Sequence, residues 1–206
     1  MGKRISPWIA IGILVGALLL GAIAGRFAFG QWLESRNPDN VGDWAHVGVW
    51  RTNLQVGSTA ADPVTRAFVA RFGLLGLAKE ETIYFASGFD EEGEEHTRGC
   101  TYEFTGKDPG ARWWSITLYG DDGFLLDNGD DAYSMDKTRV ARADDGTFKI
   151  TISPTRGDAE NWISDKGEGG FSLALRMYNP EPGVVADPGS ADLPEMRKIG
   201  CEGEGA

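Results

Sequence analysis

The first thirty residues contain an uncharged apolar run that is long enough to cross a lipid bilayer. It extends from Pro7 to Gly25 and consists mainly of Ile, Leu, Val, Ala and Gly. At 1.5 Å per residue this run reaches roughly 28 Å as a helix, which matches the hydrocarbon thickness of a membrane. The run therefore predicts a single transmembrane helix within residues 1–30.

A cleaved signal peptide is the alternative interpretation of this segment. Ala22-Ile23-Ala24 supplies the small residues of a cleavage site. The apolar run is longer than most signal sequences and is rich in Leu and Ile, which favours an uncleaved anchor. Basic residues are balanced across the span, so we infer the orientation from the very short leader, which favours a cytoplasmic N-terminus. Both interpretations place the rest of the chain on the periplasmic or extracytoplasmic side of the cytoplasmic membrane.

The rest of the chain is strongly acidic. From Gln31 onward, 17 basic residues face 31 acidic ones, which gives a net charge of −14. Such a domain repels nucleic acid and anionic lipid headgroups. The sequence therefore predicts no nucleic-acid partner, and it predicts contact with the membrane through the N-terminal helix.

One short amphipathic helix is expected after a linker. Residues 31–49 include the turn signal Asn37-Pro38-Asp39-Asn40 and are predicted to be the linker. Asp62 is a good N-cap, and Pro63 suits the first helical position. Apolar residues then recur at helical spacing, and two glycines are candidate stops: Val64, Ala67, Phe68, Phe72 and Leu75, with Gly73 and Gly76.

Beyond this helix apolar residues recur at every second position, which is typical of strands with one buried face. Glycine- and aspartate-rich turns separate the runs, so most strand pairs are expected to be antiparallel. Residues 50–206 are therefore predicted to form a mainly β domain, a sandwich or jelly roll. The runs that alternate are Cys100–Phe104, Trp114–Leu118, Phe148–Ile152 and Phe171–Met177.

Several of these segments resemble one family, the domain of unknown function 1214. The segments are RWWSITLYGDDGFLLDN at Arg112–Asn128, AYSM at Ala132–Met135, the turn at 144–146, Asn161-Trp162, and FSLALRMYNP at Phe171–Pro180. The resemblance extends from Trp50 to Ile199 and implies a jelly-roll-like antiparallel β-sandwich. In larger members a second uncharacterised domain, numbered 1254, comes first. We expect this chain to be a short, membrane-anchored member without that companion.

Catalytic and metal-binding motifs are sparse in this sequence. His46 and His96 are the only histidines, whereas zinc and iron sites draw on several His or Cys ligands. His46 lies in the predicted linker, and His96 lies in a hydrophilic hairpin, Glu91–Arg98, where we expect a solvated turn residue. No Gly-x-Ser-x-Gly elbow or phosphate-binding glycine loop occurs. The sequence therefore predicts no metal and no cofactor.

An aspartate-rich stretch is the remaining candidate for a cation site. Asp127, Asp130 and Asp131 lie close together, but their spacing differs from that of an EF-hand loop. Asp, Asn and Gly are also the residues that turns require. We therefore interpret this stretch as a turn.

Aromatic and arginine residues offer a candidate ligand or partner surface. Trp113 and Trp114 are adjacent, so on a strand they point to opposite faces. If Trp114 belongs to the core, Trp113 and Tyr119 point to the opposite face of their strand. Arg176 and Tyr178 likewise point away from the apolar face of their own strand. Such a surface suits a sugar, an acidic group or a protein. The alternative is structural, with Trp113 under a loop and Arg176 paired with a carboxylate.

The two cysteines, Cys100 and Cys201, are predicted to form a disulfide. An exported domain folds under oxidising conditions, and no other cysteine is available. The alternative is two separate thiols, one buried on a strand and one in the C-terminal tail.

These observations favour a non-enzymatic envelope protein, a binding or assembly module that works with a companion membrane-anchored protein. The first alternative is an enzyme that acts on an envelope glycan or lipid by carboxylate chemistry, although no pair among the 31 acidic residues is singled out. The second alternative is a purely structural anchor subunit.

Overall fold

The computed structural model describes residues 6–34, 43–59, 61–71 and 77–201. The chain forms two compact units, Met1–Val41 and Gly42–Ala206. The first unit contains helix α1, Pro7–Glu34. Its stretch Pro7–Trp32 is long and apolar enough to cross a membrane. The predicted N-terminal apolar helix is therefore confirmed, with the length and composition of a membrane anchor or a signal sequence.

The second unit is mainly β, as predicted. The residues described in this unit form ten strands: β1 Trp44–Val47, β2 Trp50–Asn53, β3 Thr82–Ser87, β4 Cys100–Gly106, β5 Ala111–Gly120, β6 Ser134–Asp136, β7 Phe148–Ser153, β8 Asn161–Ser164, β9 Phe171–Pro180 and β10 Glu195–Cys201. The same residues include the α-helices α2, Pro63–Arg71, and α3, Pro182–Ala186.

The strands form two sheets. One sheet has six strands in the order β1-β2-β3-β9-β5-β6, and the other has four in the order β10-β4-β7-β8. Strand pairs are antiparallel except β7 and β8, which run parallel. All four runs of alternating residues are strands, so the period-two pattern predicted them correctly. The jelly-roll connectivity itself stays a prediction.

Aromatic pairs between the two sheets form the centre of the core. Trp50 on β2 lies 5.5 Å from Phe104 on β4, and Trp114 on β5 lies 5.0 Å from Phe148 on β7, between ring centroids. All four side chains are almost fully buried. Because large aromatic side chains contribute most to burial energetics, these contacts hold the six-stranded sheet on the four-stranded one.

Helix α2 begins as the sequence predicted. Asp62 accepts hydrogen bonds at Oδ1 from the backbone N–H groups of Val64, at 2.8 Å, and Thr65, at 3.1 Å. The Thr65 hydroxyl also donates to Asp62 Oδ2, and chiefly for this reason the pKa of Asp62 is lowered. The N-cap is thus confirmed. The expected continuation through residues 72–76 lies outside the described residues.

The predicted disulfide is present. Cys201 lies directly opposite Cys100 in the antiparallel pair formed by β10 and β4, and the two sulfur atoms are bonded. The bond joins residues 101 positions apart. It therefore secures β10, an edge strand of the four-stranded sheet, to its neighbour.

Part of the predicted linker has regular structure. Trp44–Val47 forms β1, which pairs antiparallel with β2 from Trp44 opposite Asn53 to Val47 opposite Trp50. His46 is an exposed residue of this edge strand.

Candidate functional site

The candidate site lies on the outer face of the six-stranded sheet, the face turned away from the four-stranded sheet. Core residues alternate with outward-pointing ones on every strand, so each strand presents every second side chain here. The register sets aromatic and cationic residues next to one another across strands. Tyr84 on β3 lies opposite Arg176 on β9, and Trp113 on β5 lies opposite Tyr178 on β9.

All four residues predicted as a ligand or partner surface lie on this outer face. Trp113 is 36% exposed, and its ring centroid is 5.4 Å from that of Tyr178. The Trp113 Nε1–H donates to Thr138 Oγ1 at 3.2 Å. This bond fixes one edge of the indole, while the ring itself stays partly open to solvent.

Arg176 lies beside the other predicted residue, Tyr119. The guanidinium carbon is 5.3 Å from the Tyr119 ring centroid, and Nη2 donates to the Tyr119 hydroxyl. Within the described parts of the chain, no carboxylate forms an ion pair with Arg176. The partner of Arg176 is therefore an aromatic hydroxyl, and the guanidinium charge is not neutralised by an acid there.

A small pocket opens on the same face, close to Arg176. Its volume is about 130 Å³. We call it the arginine pocket and define it by six of its lining residues: Trp44, Arg51, Tyr84, Ala86, Ala174 and Arg176.

The register explains why there is space in this pocket. Ala86 on β3 lies directly opposite Ala174 on β9, and Arg51 on β2 lies opposite Ala86. Two adjacent alanines leave a depression between larger neighbours. The Arg51 guanidinium lies over the Trp44 ring, 5.4 Å from its centroid, at one side of this depression.

The charged residues that line the arginine pocket are basic, whereas the domain as a whole is acidic. Arg51, Lys79 and Arg176 line it, and none of its described lining residues is acidic. From Gln31 onward, by contrast, acidic residues outnumber basic ones 31 to 17. Burial raises the pKa of Tyr84, with Tyr178 adding to the rise and Arg176 opposing it. Tyr84 therefore stays a neutral phenol that can donate a hydrogen bond.

The sequence analysis missed part of this site. Arg51 and Tyr84 were not singled out, because neither short strand carries a long alternating run. One signal was present: Arg51 alternates with Trp50 and Thr52, which are both buried. The close approach of Arg51, Tyr84 and Arg176 depends on β9 pairing with β3, about ninety residues away in the chain.

His96 is the clearest error of the sequence analysis. It was expected to be a solvated turn residue, but it is only 1% exposed. Its ring stacks on Phe171 at 5.1 Å and meets the edge of Tyr102 at 5.4 Å, between centroids. Burial lowers the pKa of His96 to about 4, against the opposing effects of the Phe89 carbonyl and of Asp90 and Glu91. The imidazole is therefore neutral at pH 7.

The aspartate-rich stretch is a hydrogen-bonded turn. Asn128 is buried, and its Nδ2 donates to the carbonyls of Ala132, at 3.3 Å, and Ser164, at 3.0 Å. Asp130 accepts from the Ser164 hydroxyl at 2.7 Å. These bonds tie the turn to β8. Among the residues that the structure describes, no group of three or more His, Cys, Asp or Glu side chains is placed to hold a metal ion.

Fold and site together define a two-sheet β domain with an aromatic and cationic outer face. Residues 81–182 match the model of DUF1214, described as a protein of unknown function. The chain belongs to the DUF1214 family. The sequence matches no curated protein.

One solved structure supports the fold. The chain is similar to the VPA0106 protein from Vibrio parahaemolyticus, with 19% identity and a TM-score of 0.57 over 96% of this chain and 47% of that one. It spans about half the length of that relative. An uncharacterized protein from Burkholderia cenocepacia has 16% identity and a TM-score of 0.45, over 58% of this chain and 30% of that one.

Proposed function

We propose that this protein is a non-enzymatic binding or assembly module, tethered by α1 to the cytoplasmic membrane with its β domain on the extracytoplasmic side. Its partner is a second membrane-anchored protein, which contacts the outer face of the six-stranded sheet. The observation that carries the proposal is the exposed Trp113 packed against Tyr178 on that face. Tryptophan, tyrosine and arginine are the residues that dominate protein interfaces.

A further exposed apolar residue extends the same surface. Leu125 forms an isolated antiparallel bridge with Tyr119, so both side chains lie on one side of the sheet. Leu125 is 53% exposed. An exposed leucine on the same face as the aromatic residues supports contact with another protein.

Tethering would make a modest interface sufficient. Two proteins held in one membrane have a high effective concentration for each other, so a weak contact stays occupied.

Crosslinking in intact cells, followed by mass spectrometry, tests the partner contact. We expect one repeated crosslink to a membrane-anchored protein, and we expect Trp113→Ala to remove it. Trp162→Ala is the matched control, because Trp162 is a half-buried tryptophan on β8 of the other sheet. Recovery of monomer alone, or a crosslink that survives Trp113→Ala, would contradict the proposal.

A reporter fused to the C-terminus tests the orientation. A reporter that is active only outside the cytoplasm should be active and should sediment with the membrane fraction. A cytoplasmic, inactive fusion would refute export. A soluble, exported fusion would refute the anchor and leave export intact.

A further inference from the structure

We propose that Asn128 is a site of spontaneous chemical modification, at which the side-chain amide is converted to a carboxylate only when the turn around it opens. This inference goes beyond the proposed function, because the reaction requires water alone and no partner protein. Three observations support it: the glycine that follows Asn128, the hydrogen bonds of the Asn128 amide, and the carbonyl groups that those bonds reach.

Gly129 makes the reaction chemically accessible. The backbone nitrogen of Gly129, once it loses its proton, attacks Cγ of Asn128. The new N–C bond closes a succinimide ring, the Cγ–Nδ2 bond breaks, and the amide nitrogen leaves as ammonia. Water then opens the ring at either carbonyl, so position 128 becomes aspartate or isoaspartate. A side chain at position 129 would hinder the attack, and glycine has none.

The folded chain holds the Asn128 amide away from this reaction. The residue is only 5% exposed. Its Nδ2 donates to the carbonyls of Ala132, at 3.3 Å, and Ser164, at 3.0 Å, while its Oδ1 accepts from the Asp130 N–H at 2.9 Å. An amide nitrogen carries two N–H groups, so both are used. Nδ2 is the leaving group, and the turn must therefore open before Asn128 reacts.

The product does not fit the place that the amide occupies. A carboxylate has no N–H group, so the carbonyls of Ala132 and Ser164 would lose their donor and face a negatively charged acceptor. Asp130, which accepts from the Ser164 hydroxyl at 2.7 Å, adds a second negative charge close by. Isoaspartate would also lengthen the backbone beside Gly129, whose φ is +67°. A chain that has reacted therefore cannot rebuild this turn.

The test compares the full chain in detergent micelles, with its disulfide intact, in mildly alkaline buffer with and without urea. Peptide mapping by mass spectrometry follows the conversion of Asn128 over time. We expect conversion to be about a hundredfold slower without urea, because opening breaks three hydrogen bonds; this ratio corresponds to ~2.8 kcal/mol. Equal rates in the two conditions, or no conversion in urea, would overturn the proposal.

Asn161 is the matched control within the same chain. It is also buried, and its amide also bonds backbone groups, but Trp162 follows it. We expect little conversion of Asn161 in urea, because the bulky residue hinders ring closure. Conversion of Asn161 as fast as that of Asn128 would remove the role of Gly129 and contradict the proposal.

Refolding tests the consequence for the fold. Chains kept in urea for increasing times are returned to buffer, and size-exclusion chromatography separates folded from aggregated material. We expect reacted chains in the aggregated fraction and intact Asn128 in the folded fraction. Equal proportions of reacted chains in both fractions would overturn the proposal, whether or not any variant folds. Asn128→Ser cannot react in this way and should keep a constant refolding yield; a loss of yield at the wild-type rate would also contradict the proposal.

Discussion

Replacing His96 with phenylalanine should change how the stability of the β domain depends on pH. Burial lowers the pKa of His96 from 6.5 to about 4. Between these values the unfolded state binds a proton at this position that the folded state does not bind. The free energy of unfolding therefore rises as the pH increases through this window. The contribution of His96 to that free energy is lost as the pH falls from 6.5 toward 4.

The magnitude follows from the same two values. At 1.36 kcal/mol per pKa unit, the difference between 6.5 and about 4 corresponds to about 3 kcal/mol. At pH 4.5 most of this amount, about 2–3 kcal/mol, has been lost relative to pH 7.5. Phenylalanine has no such titration and keeps an aromatic ring between Phe171 and Tyr102. We expect the variant to lose about 2–3 kcal/mol less than the wild type over this range.

Urea unfolding of the full chain at pH 7.5 and pH 4.5, followed by tryptophan fluorescence, measures this difference. Carboxylates also titrate over this range, but they do so in both proteins, so the comparison cancels them. His46→Gln removes the other histidine, which is exposed on β1, and is the control. Equal pH dependence in wild type and His96→Phe would refute the reasoning, as would an equally large change in His46→Gln.

Three further predictions concern stability. Reduction of the disulfide, or Cys201→Ser, should lower the unfolding free energy by about 2–4.7 kcal/mol, since the bond joins residues 101 positions apart; thermal unfolding with and without reductant checks this. Asn161→Ala should cost about 2–4 kcal/mol in urea unfolding, because the buried amide bonds Ala141 twice and Lys149 once. Asp62→Ala should speed amide exchange at the start of α2, whereas Asp62→Ser should retain protection, as hydrogen-exchange mass spectrometry would show.

Each of these predictions has a contradicting outcome. A melting temperature unaffected by reductant would show that the Cys100–Cys201 bond contributes nothing to stability. A cost below about 1 kcal/mol for Asn161→Ala would mean that water replaces the lost bonds. Equal exchange in the alanine and serine variants of Asp62 would show that the cap does not protect the helix.

Much of the fold was predictable because its signals are local. The alternation in Cys100–Phe104 and Phe171–Met177 fixes which side chains face the core, since the strand period is two. Asp62 followed by Pro63 marks a helix start for reasons that involve only the next few backbone N–H groups. The parallel pairing of β7 with β8 was not anticipated, because strand pairing depends on partners distant in sequence.

The candidate site was predictable only in part. Tyr119, Arg176 and Tyr178 were placed on the correct face by parity alone, and so was Trp113. The pairing of Arg176 with the Tyr119 hydroxyl could not be foreseen, because it joins two strands that are brought side by side only by folding.

The sequence by itself determined the apolar N-terminal helix, the four alternating strands with their buried faces, and the disulfide, for which only two cysteines exist. Each of these depends on composition or on neighbours a few residues away. The tertiary structure decided that the polar hairpin around His96 buries its histidine against Phe171. It also decided that Arg51 and Arg176 flank one alanine-floored pocket. Both results depend on strand order and register. These are set by pairing between strands that are distant in sequence and by which face of each strand is buried.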